Sequence, residues 1–212
     1  MTRFGLLISL FTFQLIANAQ ISSDSSAKIL LDEVSAATDA HEAIYIEFEY
    51  NLINTSENIK EHAIGELTLK TDQYALSFMG LKQISDGENV WTILEDDEEI
   101  QISEIDLDDE NAITPSNLLK MYEHGFIYQM KEKNGNLQNI ELLPESPDDV
   151  DYIKIHLLID TESKQIKKLK QFGENLTESE YVIKSFSPTT INDNEFILKT
   201  SNFPDFELID LR

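Results

Sequence analysis

The stretch Ile84-Ser85-Asp86-Gly87-Glu88-Asn89-Val90-Trp91 predicts a hairpin corner, and the predicted fold extends outward from it. Gly87 tolerates positive φ, and the Asp86 side chain can accept hydrogen bonds from its own backbone, as in many tight turns. The β-branched and aromatic residues of 90–94 then favour a strand. Trp91, the single tryptophan of the chain, has two interpretations at this stage: a core residue or a ligand contact.

Predicted strands surround this corner on both sides. In residues 44–52, apolar and polar side chains alternate, which is typical of a half-buried antiparallel strand. The same alternation recurs along the chain as far as residues 181–186, and we also predict a last strand at 195–199. Because successive strands are joined by short polar turns, the sequence predicts an antiparallel meander and a mainly β (α+β) fold rather than a βαβ sheet.

Two segments depart from this alternation and predict helices. Residues 27–38 carry apolar side chains at helical spacing. Residues 114–125 begin with Thr114 as the N-cap and Pro115 at the first helical position, and they end at Gly125. The second helix is too short to be stable alone, so it must lean on the sheet, either as a fixed cover or as a movable lid.

The composition places limits on function. The chain has 212 residues, 41% of them hydrophobic, which suits one domain with a substantial core. Its formal charge of −24 repels phosphate backbones, so we expect no nucleic-acid partner. It has no cysteine, which excludes disulfides, thiolate metal sites, a thiol nucleophile and a lipid-bearing cysteine.

Residues 1–19 have the features of a secretory signal peptide. Arg3 supplies the positive start, an apolar run follows, and Ala17 and Ala19 form a small-residue cleavage site. The apolar run is too short to span a bilayer comfortably. We therefore expect cleavage after Ala19, a single mature domain over residues 20–212, and a soluble monomer in the periplasm.

No pattern in the sequence indicates an enzyme, a metal site or a cofactor. The four histidines are scattered without metal-ligand spacing. The acidic run 106–111 lacks the glycine and the terminal glutamate of a calcium loop. There is also no glycine-rich phosphate loop and no serine of the nucleophile-elbow type. We therefore expect a binding protein with no catalytic residues, no metal ligands and no cofactor.

The alternating strands present one apolar layer, with only two short helices to cover it. A curved sheet of this kind would enclose a groove or cavity, filled either by its own side chains or by an apolar ligand. The predicted lining consists of Ile46, Phe48, Tyr50, Leu67, Leu69, Tyr74, Leu76, Phe78, Trp91, Ile155 and Leu157. The predicted lid residues are Ile113, Leu118, Leu119, Met121 and Tyr122.

Five segments spread over the mature chain carry a family resemblance. They are the 27–38 helix, residues 65–70 (Gly-Glu-Leu-Thr-Leu-Lys), the 85–91 corner with its Ser-Asp-Gly and Trp, residues 113–116 (Ile-Thr-Pro-Ser) and the 203–212 tail. In this order behind a signal peptide, they resemble the periplasmic outer-membrane lipoprotein carriers, the LolA family, in its Bacteroidetes-type branch.

The resemblance implies an incomplete antiparallel β-barrel, or half-barrel, with short helices forming a lid over a hydrophobic cavity. It implies a carrier that takes acylated lipoproteins from an inner-membrane lipoprotein-releasing ABC transporter, shields their acyl chains and passes them to an outer-membrane acceptor. Proteobacterial members commonly have an arginine that holds the lid closed at the position of Thr71, so that latch does not carry over to this chain.

Two other protein classes share the implied fold. The main alternative is a periplasmic sensor of envelope stress that binds mislocalised lipoproteins or an anti-sigma factor, although such sensors usually carry a second domain. The anchored outer-membrane acceptor needs a lipidated cysteine, which this chain lacks. The sequence therefore favours the carrier.

Overall fold

The computed structural model describes residues 23–105, 122 and 124–212. An α-helix, α1, spans Ser25–Asp39, close to the predicted bounds. Asp24 is its N-cap, because the Asp24 carboxylate accepts the backbone N–H of Ser26 at 2.8 Å. The backbone N–H of Asp24 also donates to the Tyr128 carbonyl at 2.8 Å, which fixes the start of the helix to a strand. The buried face of α1 consists of Ala27, Leu30, Leu31 and Val34.

Twelve strands form one open, curled sheet. In chain order they are β1 (Ala43–Asn54), β2 (Ile59–Lys70), β3 (Gln73–Phe78), β4 (Leu81–Ser85), β5 (Asn89–Leu94), β6 (Glu99–Glu104), β7 (Phe126–Asn134), β8 (Leu137–Pro144), β9 (Tyr152–Asp160), β10 (Gln165–Gly173), β11 (Thr177–Thr189) and β12 (Glu207–Asp210). Their spatial order is β12-β6-β5-β4-β3-β2-β1-β11-β10-β9-β8-β7.

The sheet confirms the predicted mainly β fold and the half-barrel architecture. β1 is central, since it pairs antiparallel with β2 on one side and with β11 on the other. The predicted corner between β4 and β5 is also present: the Asp86 carboxylate accepts the backbone N–H groups of Glu88 and Asn89, at 3.0 and 2.7 Å. Gly87 in this corner has a φ of 96°.

The sheet departs from the predicted single meander at two places. β1 pairs with β11, which joins a β1–β6 meander to a β7–β11 meander. β12 pairs with β6 in parallel at one edge, so the chain between β11 and β12 must pass across β1–β6. It passes on the face of the sheet opposite α1, where Lys70 forms an ion pair with Asp193 at 2.8 Å and donates to the Ile191 carbonyl.

The strand predicted at 195–199 is wrong. A 3-10 helix at Asp193–Phe196 occupies the start of this region and lies against β3. The Asn192 side chain caps it by accepting the backbone N–H of Asn194 at 3.0 Å. Phe196 is fully buried although it belongs to no strand. The short apolar run 196–198 therefore belongs to a segment that crosses a face of the sheet and does not join the ladder.

None of the helices within the described residues is long and apolar enough to cross a membrane.

Candidate functional site

The pairing register brings most of the predicted lining residues onto one face of the sheet. Residues paired directly across strands point to the same side, and Ile46, Leu67 and Leu76 form such a row across β1, β2 and β3. We call this the inner face, because α1 packs on it. Ten of the eleven predicted lining residues share it: Ile46, Phe48, Tyr50, Leu67, Leu69, Tyr74, Leu76, Phe78, Ile155 and Leu157.

Trp91 lies on the opposite, outer face. It pairs with Ile84 and Ile102, whereas its neighbour Val90 continues the inner row through Ser85. The structure therefore corrects the predicted placement of Trp91 on the inner face.

Buried apolar side chains lie on the inner face in β1–β3 but mainly on the outer face in β5 and β6. This change of face at β4 explains why the alternation predicts the wrong face for Trp91. In β5 and β6 the residues Ile93, Ile100 and Ile102 are buried on the outer face. The inner face of the same strands is mixed: it carries Val90 and Leu94, but also Thr92, whose hydroxyl accepts from the Gln83 side-chain amide at 3.1 Å. The clusters of buried apolar side chains on the inner face therefore lie on the strands from β3 to β7 in the spatial order.

This apolar region contains two clusters of buried side chains. The first, the helix-covered cluster, joins α1 to β7–β10 through residues such as Leu31, Ile140 and Leu157. The second, the strand cluster, consists of Ile44, Ile46, Phe48, Leu67, Leu69 and Tyr74. Half-buried apolar residues pack against the strand cluster and form what we call its accessible layer: Tyr50, Leu76, Phe78, Tyr181, Ile183 and Phe186.

The β11 residues of this layer are not among the predicted lining residues. Tyr181 and Ile183 lie opposite Tyr50 and Phe48, but Phe186 lies opposite Ile46 because a β-bulge shifts the register there. The bulge breaks the simple alternation in β11. The aromatic and branched residues of 181–186 therefore indicate a strand in the sequence but not its part in the site.

Four aromatic rings in this region form an aromatic quartet, Phe48, Tyr50, Phe78 and Tyr181. Ring centroids are 5.5 Å apart for Phe48–Phe78, 5.2 Å for Tyr50–Phe78, 4.9 Å for Tyr50–Tyr181 and 6.0 Å for Phe48–Tyr181. Tyr181 also packs against the helix-covered cluster. The quartet therefore lies where the two apolar clusters meet.

Burial favours the neutral form of two tyrosines on the inner face, Tyr74 and Tyr181. Desolvation raises the pKa of Tyr74 to about 12. It also raises the pKa of Tyr181 to about 12, with a further contribution from Tyr50. Within the part of the chain that the structure describes, no group of three or more His, Asp or Glu side chains is arranged to hold a metal ion. The face is thus suited to uncharged, apolar ligands.

The outer face of β8 and β9 carries the main charged cluster in this half of the sheet. Glu141 is only 8% exposed and forms ion pairs with Lys131 at 2.7 Å and with Lys154 at 2.9 Å. His156 Nε2 lies 2.9 Å from the same carboxylate. Burial raises the pKa of Glu141, but hydrogen bonds from Lys131, Lys154 and His156 outweigh it and lower that pKa to about 2.

Of the five predicted lid residues, the structure describes Tyr122 alone. It is buried in the helix-covered cluster, and its carbonyl accepts the Tyr128 hydroxyl at 2.7 Å. Ile113, Leu118, Leu119 and Met121 lie outside the described residues, so the lid stays a prediction.

Comparison with known proteins gives structural similarity without sequence similarity. No protein-family model matches the chain, and no curated protein is significantly similar to it. An uncharacterized conserved protein from Thermus thermophilus aligns with a TM-score of 0.56 at 10% identity, over 88% of this chain and 99% of that protein. The two proteins share a fold.

Two further structures align less well. Lipoprotein LppX from Mycobacterium tuberculosis gives a TM-score of 0.48 at 12% identity, over 80% of this chain and 99% of that one. A LolA superfamily protein from Nitrosomonas europaea gives 0.46 at 9% identity, over 81% and 97%. The open sheet with α1 on its inner face is the half-barrel architecture that the sequence resemblance implies. The Bacteroidetes-type branch stays a prediction.

Proposed function

We propose that this protein is a periplasmic carrier that binds the acyl chains of lipoproteins on the inner face of its sheet. The observation that supports the proposal is the accessible layer, in which large apolar side chains such as Leu76, Phe78 and Ile183 are only half buried. A monomeric soluble protein rarely leaves a contiguous apolar surface uncovered without a binding role.

The dimensions and chemistry of the layer suit an acyl chain. The inner-face row of β1 runs from Ile44 to Tyr50, about 20 Å at ~3.3 Å per residue, a length that an extended long-chain acyl group would span. Each methylene buried there contributes about 0.8 kcal/mol to binding. Neither the aliphatic nor the aromatic side chains of the layer carry a charge that a hydrocarbon chain would have to desolvate.

In this proposal the role is binding and transfer, not catalysis. The protein receives acylated lipoproteins from an inner-membrane lipoprotein-releasing ABC transporter. It shields their acyl chains from water, crosses the periplasm as a monomer after loss of its signal peptide, and passes them to an outer-membrane acceptor.

A photo-crosslinking experiment tests this function. We would place a benzophenone side chain at Leu76, in the accessible layer, or at Ser77, its exposed neighbour on the other face of β3. After irradiation of living cells, mass spectrometry would identify the trapped molecules. We expect acylated lipoproteins at position 76 and not at position 77.

Other outcomes would reject the proposal. Lipoproteins trapped equally at both positions would indicate contact without a specific acyl site. Capture at position 76 of the periplasmic part of an anti-sigma factor instead of lipoproteins would favour the stress sensor. Purified protein that fails to bind any acylated probe would exclude both the carrier and a stress sensor that binds lipoproteins.

A further inference from the structure

The accessible layer is not uniformly apolar, because two phenol groups lie side by side within it. Tyr50 and Tyr181 are directly paired across β1 and β11, with ring centroids 4.9 Å apart. Phe48 and Phe78 flank this pair and complete the aromatic quartet. The two hydroxyls are therefore held on an otherwise hydrophobic surface, at the junction of the helix-covered cluster and the strand cluster.

Neither of these hydroxyls has a hydrogen-bond partner among the described residues. Other tyrosines differ in this respect: the Tyr45 hydroxyl bonds to Glu47, and the Tyr128 hydroxyl bonds to the Tyr122 carbonyl. Neither hydroxyl is fully enclosed, so water can reach both while the layer is exposed. A purely hydrocarbon ligand would displace that water and leave two polar groups unpaired, which opposes binding. A ligand that brings hydrogen-bond acceptors to this point avoids the penalty.

We propose that Tyr50 and Tyr181 form a polar subsite that donates hydrogen bonds to the ester carbonyls of a diacylglyceryl group. This inference rests on the proposed function, since it assigns the polar part of the same ligand. An ester carbonyl is an acceptor only, and a diacylglyceryl group has two of them at the point where its two acyl chains diverge. Binding there would lay the acyl chains on the accessible layer.

The Tyr181 phenol is suited to donate at physiological pH. Desolvation, with a smaller contribution from Tyr50, raises the pKa of Tyr181 to about 12, so its hydroxyl keeps its proton. The packed rings fix the direction of both hydroxyls, which reduces the conformational entropy lost when a ligand binds.

The test compares two synthetic probes that differ only in their carbonyl groups. One is N-acetyl-S-[2,3-bis(octanoyloxy)propyl]cysteine amide, and the other is the diether analogue in which octyl ether chains replace the esters. Calorimetric titration below the critical micelle concentration gives Kd for both probes. The proteins are the wild type, Tyr50→Phe, Tyr181→Phe and, as a matched control, Tyr45→Phe, which removes a hydroxyl on the outer face of β1.

We expect the wild type to bind the ester probe more tightly than the ether probe, by about two- to tenfold for each hydrogen bond. Tyr50→Phe and Tyr181→Phe should each lose one such factor of this preference and retain their affinity for the ether probe, and Tyr45→Phe should behave like the wild type. Equal affinity of the wild type for both probes, or an unchanged preference in Tyr50→Phe and Tyr181→Phe, would overturn the subsite but leave the acyl carrier intact. Absence of binding to either probe would overturn the carrier itself.

Discussion

The ring of Phe48 lies directly across Gly65 on the neighbouring strand. A Cβ atom at position 65 would lie 2.6 Å from Cε2 and 2.7 Å from Cε1 of that ring, closer than carbon atoms can approach. The glycine thus leaves space for the aromatic ring that begins the quartet with Phe78 and Tyr181. This gives a physical reason for a glycine in the 65–70 segment that carries the family resemblance.

Gly65→Ala should therefore destabilise the protein through Phe48. We expect a loss of about 1–3 kcal/mol, because the ring must leave its position. In the Phe48→Leu background the same substitution should cost much less, which gives a coupling energy above about 0.5 kcal/mol. Urea denaturation of the four proteins measures both quantities. Equal costs of Gly65→Ala in the two backgrounds would show that the ring is not the obstacle.

Glu141→Gln should weaken the protein in a pH-dependent way. Because the folded pKa of Glu141, about 2, lies below the usual 4.5, ionisation favours the folded state above pH 4.5. This contribution, up to about 3 kcal/mol, is lost as the pH falls from 4.5 towards 2. The stability gap between wild type and Glu141→Gln should close over that range, as measured by urea midpoints.

The matched control is Glu132→Gln, at an exposed position on β7. We expect it to follow the wild type at every pH. A gap for Glu141→Gln that stays constant from neutral pH down to about pH 2 would contradict the role assigned to the ion pairs.

In most strands the alternation of apolar and polar residues predicts which side chains face the core, because the apolar residues are also the buried ones. In β1 the residues Ile46, Phe48 and Tyr50 alternate with polar neighbours, and all three lie on the inner face. The helix α1 is equally clear, since its apolar spacing and its Asp24 cap are both local features.

Three features depend on distant parts of the chain and could not be predicted. The outer face buries Trp91 partially because the apolar side of the sheet changes at β4, and Val90 beside it gives no signal of that change. The bulge in β11 decides where Phe186 points. The parallel strand β12 results from a long crossing, whose residues 195–199 have the local pattern of a strand.

Leu31→Ala should destabilise the protein by about 2–4 kcal/mol, since the Leu31 side chain is 1% exposed within the helix-covered cluster. Ile29→Ala on the opposite side of α1 is the matched control, because Ile29 is 60% exposed. We expect its effect to stay within about 0.5 kcal/mol. Chemical denaturation compares the two variants. Similar losses for both would mean that α1 does not pack on the sheet through the face described.

Removal of residues 207–212 should expose the β6 edge and cause association. β12 covers the backbone groups of β6, and Arg212 holds it by an ion pair to Asp210 and by a hydrogen bond to the Asn89 side chain at 3.0 Å. An uncovered edge strand pairs readily with another chain. Sedimentation velocity should show a monomer for the wild type and for Arg212→Ala, and concentration-dependent oligomers for the truncated protein. A truncated protein that remains monomeric would indicate that β6 needs no cover.

Fluorescence can decide which face of the sheet binds acyl chains. Trp91 lies on the outer face beside Ile84 and Ile102, so its emission maximum should not move when the dioctanoyl ester probe saturates the protein. A tryptophan placed at Leu76, in a Trp91→Phe background, lies in the accessible layer and should shift to shorter wavelength as the ligand excludes water. The Trp91→Phe protein without the new tryptophan provides the blank and, by its tyrosine emission and circular dichroism, shows that the fold is retained. A shift at Trp91 together with an unchanged signal at position 76 would place the ligand on the outer face and reject the inner-face site.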